Sequence, residues 1–222
     1  MKVHLFDVDK TIVRKTTAEY FIKLALKKKV IKFSQVSHLF VDLIKYKLSS
    51  PDNDFIENTV KRLSGINRSE LEEISGTCFN EYIKKNIYKG AYNLIHEAIK
   101  RNERVIFATS SFDFIISPLE KYFNITGSLA TKMEYADGKT TGNLESFSFF
   151  GLKKKIAAQE WMEKNKIKAK DVYFYSDSYT DIPLLEYCGN PVAVNPDRVL
   201  FKEAKKRSWE ILKLKEVLGV TS

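Results

Sequence analysis

Three short apolar runs, Val3 to Phe6, Val105 to Ala108 and Val172 to Tyr175, each empty into residues able to hold a phosphate or a metal. The first delivers Asp7-Val8-Asp9-Lys10-Thr11, the second Thr109-Ser110-Ser111, and the third Ser176-Asp177-Ser178-Tyr179-Thr180-Asp181. Such runs, bounded by polar residues, read as buried strands. Ligands of an open parallel sheet bind outside the carboxyl ends of its strands, so the three tips are expected to converge. A chain leaving the first strand still extended would point Asp7 and Asp9 the same way. Two carboxylates on one face repel, and a divalent cation or a shared proton is the usual reason for them to coexist. Asp-x-Asp-x-Thr alone is also ordinary turn and N-cap chemistry. The two later strand tips are what give it weight.

The hydrophobic period divides the chain. After the first tip only helical spacing is found, beginning with Tyr20, Phe21, Leu24 and Ala25 between Thr17 and Val30. Val36, Leu39, Phe40, Leu43 and Ile44 predict a second helix that stops near Ser49-Ser50-Pro51. Phe55, Ile56, Thr59, Val60 and Leu63 predict a third, broken at Gly65. Ser69 and Glu72 have the spacing of a capping box, opening a fourth helix with Leu71, Ile74, Cys78, Phe79, Tyr82 and Ile83 on its buried face. Four amphipathic helices are expected to close into a small bundle, residues 14–89. From Ala91 onward helix and strand alternate, the grammar of a doubly wound α/β sheet. The Gly-containing segment Ala136-Asp137-Gly138-Lys139-Thr140, between two extended stretches, predicts a β-hairpin turn. A helix from Lys153 to Trp161, another from Asp181 to Tyr187 and a strand from Pro191 to Val194 are expected after it. The fold class is therefore α/β, a Rossmann-like doubly wound parallel sheet with an inserted all-helical cap and a small hairpin. The core is placed at residues 1–13 and 90–222 and the cap at 14–89.

With these motifs in this order, the chain resembles the haloacid dehalogenase-like phosphohydrolase superfamily, in the branch containing phosphoserine phosphatases and related small-molecule or lipid-headgroup phosphatases. Four stretches carry the resemblance: Asp7-Val8-Asp9-Lys10-Thr11, Thr109, a lysine of Gly151-Leu152-Lys153-Lys154-Lys155, and Asp177 with Asp181. It continues through Asp181-Ile182-Pro183-Leu184-Leu185-Glu186 and Pro191 to Asp197, and the helical insertion is similar to that branch's cap. The resemblance implies a phosphomonoester hydrolase dependent on Mg²⁺. In it Asp7 is the nucleophile, forming an aspartyl-phosphate, and Asp9 is the acid and base. Mg²⁺ is assigned to Asp7, the backbone carbonyl of Asp9, and Asp177, with Asp181 holding metal-bound water. Thr109 and the N–H of Ser110 would bind the phosphoryl group. Lys154 would supply fixed positive charge, chosen over Lys153 and Lys155 by the Gly-x-x-Lys spacing. Lysines at a helix start oppose the helix dipole, so at least one is expected to answer to an anion.

Substrate signals are thinner. The branch's phosphoserine phosphatases read the substrate ammonium with a glutamate seven residues after the second acid of the first motif. Thr16 stands there, which argues against phosphoserine. Arg62 resembles the cap arginine that holds the substrate carboxylate. Phosphoserine hydrolysis, or phosphotransfer to an acceptor alcohol, remains the alternative, and a phosphate- or nucleic-acid-binding module without catalysis is the alternative of a different class. The net charge of +9 raises nucleic acid as a partner, but no nucleic-acid motif accompanies it and none is expected. Residues 14–50 hold nine lysines and arginines against Glu19 and Asp42, an excess of +7. Interleaved with Phe21, Leu24, Leu26, Val30, Ile31 and Phe33, they suggest weak contact with an anionic membrane surface as an adjunct to a small phosphorylated substrate. Cys78 and Cys188 are far apart and fit no zinc spacing, and His4, His38 and His96 are scattered. No run approaches a membrane span and the chain opens directly on its first strand, so the cytoplasm is the expected compartment.

Overall fold

A computed structural model describes residues 1–35, 55–125, 127–146 and 148–219. Strand β1 (Val3–Phe6) lies between β2 (Arg104–Phe112) and β6 (Val172–Ser176), parallel to both, with Phe6 opposite Phe107 and Tyr175. Strand β3 (Ser128–Thr131) flanks β2, while β7 (Asn190–Val194) and β8 (Glu210–Leu212) extend the far side. The order β3-β2-β1-β6-β7-β8 reverses direction between β1 and β6. That reversal is the switch point of a doubly wound sheet, where a crevice opens at the strands' carboxyl ends.

Both faces of the sheet are covered, which is why its strands read as continuous apolar runs. Side chains alternate across it. Leu5, Ile106 and Phe174 pack with Ala158 and Met162 of α6 (Leu152–Lys164), Leu184 of α7 (Ile182–Tyr187) and Leu200 of α8 (Arg198–Lys206). Phe6, Phe107 and Tyr175 face the other way, toward Ile95 of α4 (Lys89–Lys100) and Ile116, Leu119 and Phe123 of α5 (Asp113–Phe123). His4 also lies on this face, between Glu103 (2.9 Å) and the Tyr175 hydroxyl (3.1 Å). Both cysteines are buried and free.

The inserted helices include α1 (Thr17–Lys27), α2 (Phe55–Lys61) and α3 (Arg68–Cys78), which continues through a wider turn, Phe79–Ile83. The helix expected over Val36 to Ile44, with its stop at Ser49-Ser50-Pro51, lies outside the described residues. The described helices do not close only on one another. Phe21 of α1 packs edge-on to Phe114 of α5 at 5.3 Å, and Phe79 lies 5.5 Å from Tyr122 of the same helix. Insert and α5 thus share one apolar cluster.

The Ser69–Glu72 capping box does not form. Helix α3 begins at Arg68 with Asn67 at its N-cap, the Asn67 amide donates to Glu70 (3.0 Å), and Glu72 pairs with Arg68 (2.8 Å). The helix start is set from outside: Gly65 N–H bonds the Thr140 carbonyl, Thr140 N–H bonds Ile66, and Arg68 N–H bonds Gly138. These partners belong to the hairpin β4 (Met133–Ala136) and β5 (Lys139–Leu144), turned by Asp137 (φ 49°) and Gly138 (φ 72°) as expected. The basic stretch also has a plain structural explanation. Phe21, Leu24 and Ile31 are buried in the core and leave Lys23 and Lys27 on the solvated face of α1, with Lys28 and Lys29 exposed just past its end; of the apolar residues named for membrane contact, only Phe33 is exposed (65%). Among the described residues no helix is long and apolar enough to cross a membrane.

Phe107 is fully buried and its ring meets Phe123 edge-on at 6.2 Å. Phe107→Ala should lower unfolding stability by ~3–5 kcal/mol. Val199→Ala, on the exposed side of α8, should change it by less than ~0.5 kcal/mol. Urea unfolding of both variants tests this. Equal midpoints would show that the sheet face is not the packed core described.

Candidate active site

The tips of β1, β2 and β6 meet. Asp7 stays in the sheet for one residue beyond β1, its N–H bonded to the Tyr175 carbonyl at 2.9 Å. The chain then turns through Lys10 (φ 59°), with the N–H groups of Ile12 and Val13 both returning to the Val8 carbonyl. This compact reversal keeps Asp9 beside Asp7. The Asp9 carboxylate accepts the Thr17 N–H at the start of α1 (2.7 Å) and the Ser111 hydroxyl (3.1 Å). It therefore serves as the outside cap of α1, whose own N-cap, Thr16, makes no side-chain capping bond.

Strand β2 shifts register between Thr109 and Phe112, the irregularity that often re-aims side chains beside a site. Thr109 is buried and its Oγ1 accepts the Ser111 N–H (3.1 Å), which leaves its own O–H for another acceptor. The Ser110 carbonyl is held by the Thr131 hydroxyl at 3.0 Å.

Of the three consecutive lysines, one reaches this cluster. Gly151, at φ 55°, starts α6 in a conformation that disfavours a side chain, and the step of about 100° per residue then points the three lysines in different directions. Lys153 pairs with Glu57 (3.1 Å) and Lys155 lies over the Tyr187 ring. Lys154 is buried, its Nζ 2.9 Å from Asp7 Oδ1 and 2.8 Å from Asp181 Oδ2. Asp181 also accepts the Ser176 hydroxyl (2.7 Å), while its Oδ1 is buried without a hydrogen-bond partner. Asp177 lies one residue beyond β6, nearly buried.

Electrostatics follow from this crowding. Burial raises the pKa of Asp7 to about 7, against the pull of Lys154 and with help from the charges of Asp181 and Asp9. Burial and then the Asp7 charge raise Asp177 to about 8. Asp9 is also raised, by burial, against its bonds from Thr17 and Ser111. Burial works against the Lys154 charge, but Asp181 and Asp7 outweigh it and hold the ammonium more firmly than usual. With Asp7, Asp9, Asp177 and Asp181 around one buried ammonium, and the exposed Lys10 also acting on Asp177, the described charges leave an excess of negative charge when all four acids are ionised. That excess and the orphaned Asp181 Oδ1 fit a divalent cation among oxygen donors. Among the described residues no three acidic, histidine or cysteine side chains form a ready-made cage, so such an ion would complete its shell with carbonyl, water or phosphate oxygens.

Arg62 is not brought to this cluster: it is exposed just beyond the end of α2 and does not line the cavity beside Asp9. Sequence reasoning passed over Thr17, Ser111 and Ser176, which orient the acids. Their one signal was spacing, Ser111 two residues after Thr109 and Ser176 directly before Asp177. Two polar clefts of about 480 Å³ each lie elsewhere, one around Arg207 and Glu186 and one around Lys132 and Asp113, and contain none of the acids just described.

The haloacid dehalogenase-like hydrolase family model matches residues 4–186. A probable phosphatase of Mycobacterium tuberculosis is 31% identical over 219 residues, 93% of this chain and 73% of that protein. A histidinol-phosphatase of Neisseria meningitidis is 30% identical over 220 residues, 95% of this chain and 98% of that one. A solved phosphoserine phosphatase in its apo form superposes with a TM-score of 0.64 at 18% identity, covering 98% of this chain and 95% of that one, and shares the fold.

The raised carboxyls make a signed prediction. An aspartate whose folded pKa exceeds its ordinary 3.8 contributes stability that is full below that value and is lost as pH rises through the folded one. In a chelator, Tm should therefore fall between about pH 5 and pH 8, the window set by Asp7 near 7 and Asp177 near 8. The Asp7→Asn/Asp177→Asn double variant should flatten that slope. A wild-type Tm that rises across this window would contradict the electrostatics described.

Proposed function

The chain belongs to the haloacid dehalogenase-like hydrolase family and is a phosphatase, and from that premise we propose a Mg²⁺-dependent phosphomonoester hydrolase that works through an aspartyl-phosphate. The observation that carries the reading is Lys154, fixed between Asp7 and Asp181 at the switch point of the sheet. An ammonium there binds Asp7 as a carboxylate, the form that can attack, and places positive charge where phosphoryl oxygens would lie.

In the first half-reaction an Asp7 oxygen attacks phosphorus and the ester P–O bond breaks. Asp9, whose proton affinity burial has raised, gives its proton to the leaving alkoxide oxygen. In the second, Asp9 takes a proton from the water that attacks phosphorus, releasing phosphate and restoring Asp7. Thr109 donates its hydroxyl to the phosphoryl group, with the Ser110 N–H beside it. Thr17 and Ser111 hold Asp9 in place through both steps. Asp7, the Asp9 carbonyl and Asp177 would hold Mg²⁺, with Asp181 on its water, and the ion would neutralise developing charge on the phosphoryl oxygens. Dividing one slow displacement into two and holding the groups in line supplies the rest of the acceleration.

Phosphate release should require Mg²⁺ and be abolished by chelator. Asp7→Asn should lose turnover on every substrate. Lys154→Ala should reduce kcat by ~10²-fold or more, the usual loss when an electrostatic stabiliser is removed. Steady-state assays with an aryl phosphate, phosphoserine and histidinol phosphate provide the measurement. Wild-type turnover by Asp7→Asn would exclude it as nucleophile, and near-normal turnover by Lys154→Ala would exclude the charge role.

A further inference from the structure

We infer that the alcohol of the natural phosphate ester is apolar, a short alkyl chain or a single ring, bound in the cavity that begins at Asp9. The inference rests on the phosphatase reading above and specifies the substrate of that same site.

The cavity holds about 200 Å³ between the inserted helices and the sheet. Its polar end is formed by Asp9, Ser110 and Ser111. Asp9 is the proposed acid for the leaving oxygen, and the cavity that opens beside it, with Ser110 and Ser111, is the space assigned to the group attached to that oxygen. Away from that end the walls are hydrocarbon: Phe21 and Ile31 from the α1 region, Ile66 and Leu71 around the start of α3, and Phe114 and Met133 from the core side. Each of these six is buried.

Chemistry decides what this space accepts. Among the described lining residues Asp9 is the sole charged side chain, and Thr59, Ser110 and Ser111 are the other polar ones. Asp9 accepts hydrogen bonds from Thr17 and Ser111, and its remaining acceptor capacity serves the leaving oxygen in the mechanism above. Among the described residues no cation lines the cavity for a substrate carboxylate, and Arg62 is exposed and not among the lining residues. Among the described lining residues an amino-acid phosphate finds no cation for its carboxylate, and burying that group unpaired is costly. A hydrocarbon tail loses nothing polar and leaves water. An apolar cavity of about 150 Å³ holds a benzene ring, so the present volume takes one ring or a short alkyl chain.

The test is kcat/KM with Mg²⁺ for straight-chain alkyl monophosphates from methyl to octyl, beside phenyl phosphate, O-phosphoserine, histidinol phosphate and acetyl phosphate. Values should rise roughly fourfold per added methylene until the cavity is full, and hexyl phosphate should exceed phosphoserine by ~10²-fold or more. Ala18→Phe, which intrudes on the cavity, should reduce the hexyl-to-methyl ratio at least ~10-fold. Should that variant fail to fold, the wild-type chain-length series decides alone. No gain with chain length, or preference for phosphoserine or histidinol phosphate while acetyl phosphate is hydrolysed, overturns the apolar assignment and leaves the phosphatase reading standing. Absence of Mg²⁺-dependent hydrolysis across the whole panel overturns both.

Discussion

One buried ammonium among four carboxylates is the constraint on which the rest depends. Lys154 lies within 3 Å of both Asp7 and Asp181, in a pocket that water scarcely reaches. Breaking a buried pair by removing one partner leaves an uncompensated charge, which is far more damaging than the pair is stabilising. The cluster is thus poised: Lys154 pairs with Asp7 and Asp181, yet burial still raises Asp7 to about 7 and Asp177 to about 8. A dianionic phosphate would worsen that balance alone and suits it in company with a divalent cation. The same charge imbalance that costs the folded chain stability would, in the proposed mechanism, favour metal and substrate binding together.

The fold supplies this arrangement by topology. Strand order reverses between β1 and β6, so the tips carrying Asp7 and Asp177 sit side by side although 170 residues separate them in sequence. Lys154 enters from the first turn of α6, placed by the left-handed Gly151. The inserted helices are joined to the site through Asp9, whose carboxylate bonds the first N–H of α1 and the Ser111 hydroxyl of β2. Movement of α1 therefore changes the environment of the proposed acid directly. The hairpin, bonded to residues 65–68, anchors the far end of the same insert to the core.

The sheet and its tips were legible in the amino-acid sequence because buried parallel strands are continuous apolar runs and their ends are punctuated by polar residues. Asp7, Thr109, Lys154, Asp177 and Asp181 all lie where strand tips or a Gly-started helix put them. The hairpin was legible from a Gly-containing segment between two extended stretches; that Asp137 and Gly138 are its two left-handed turn residues is seen in the backbone. The start of α3 was not, because pairing with the hairpin, a contact between distant segments, displaced the local Ser69–Glu72 preference. Thr17, Ser111 and Ser176 were missed for the same reason: a hydroxyl or N–H that orients an acid is recognised only by what it touches. Arg62 shows the converse, a residue selected by family pattern whose exposed position shows no link to the site. Edge strand β8 is only three residues long and half exposed, too brief for a period.

The most direct measurement traps the covalent step. The enzyme is quenched in acid during turnover, reduced with borohydride, which converts an aspartyl-phosphate to homoserine, and mapped by peptide mass spectrometry. Homoserine at position 7 alone is the predicted result. Homoserine at Asp9 or Asp177 instead, or none at any aspartate while phosphate is being released, would contradict Asp7 as the residue that carries the phosphoryl group.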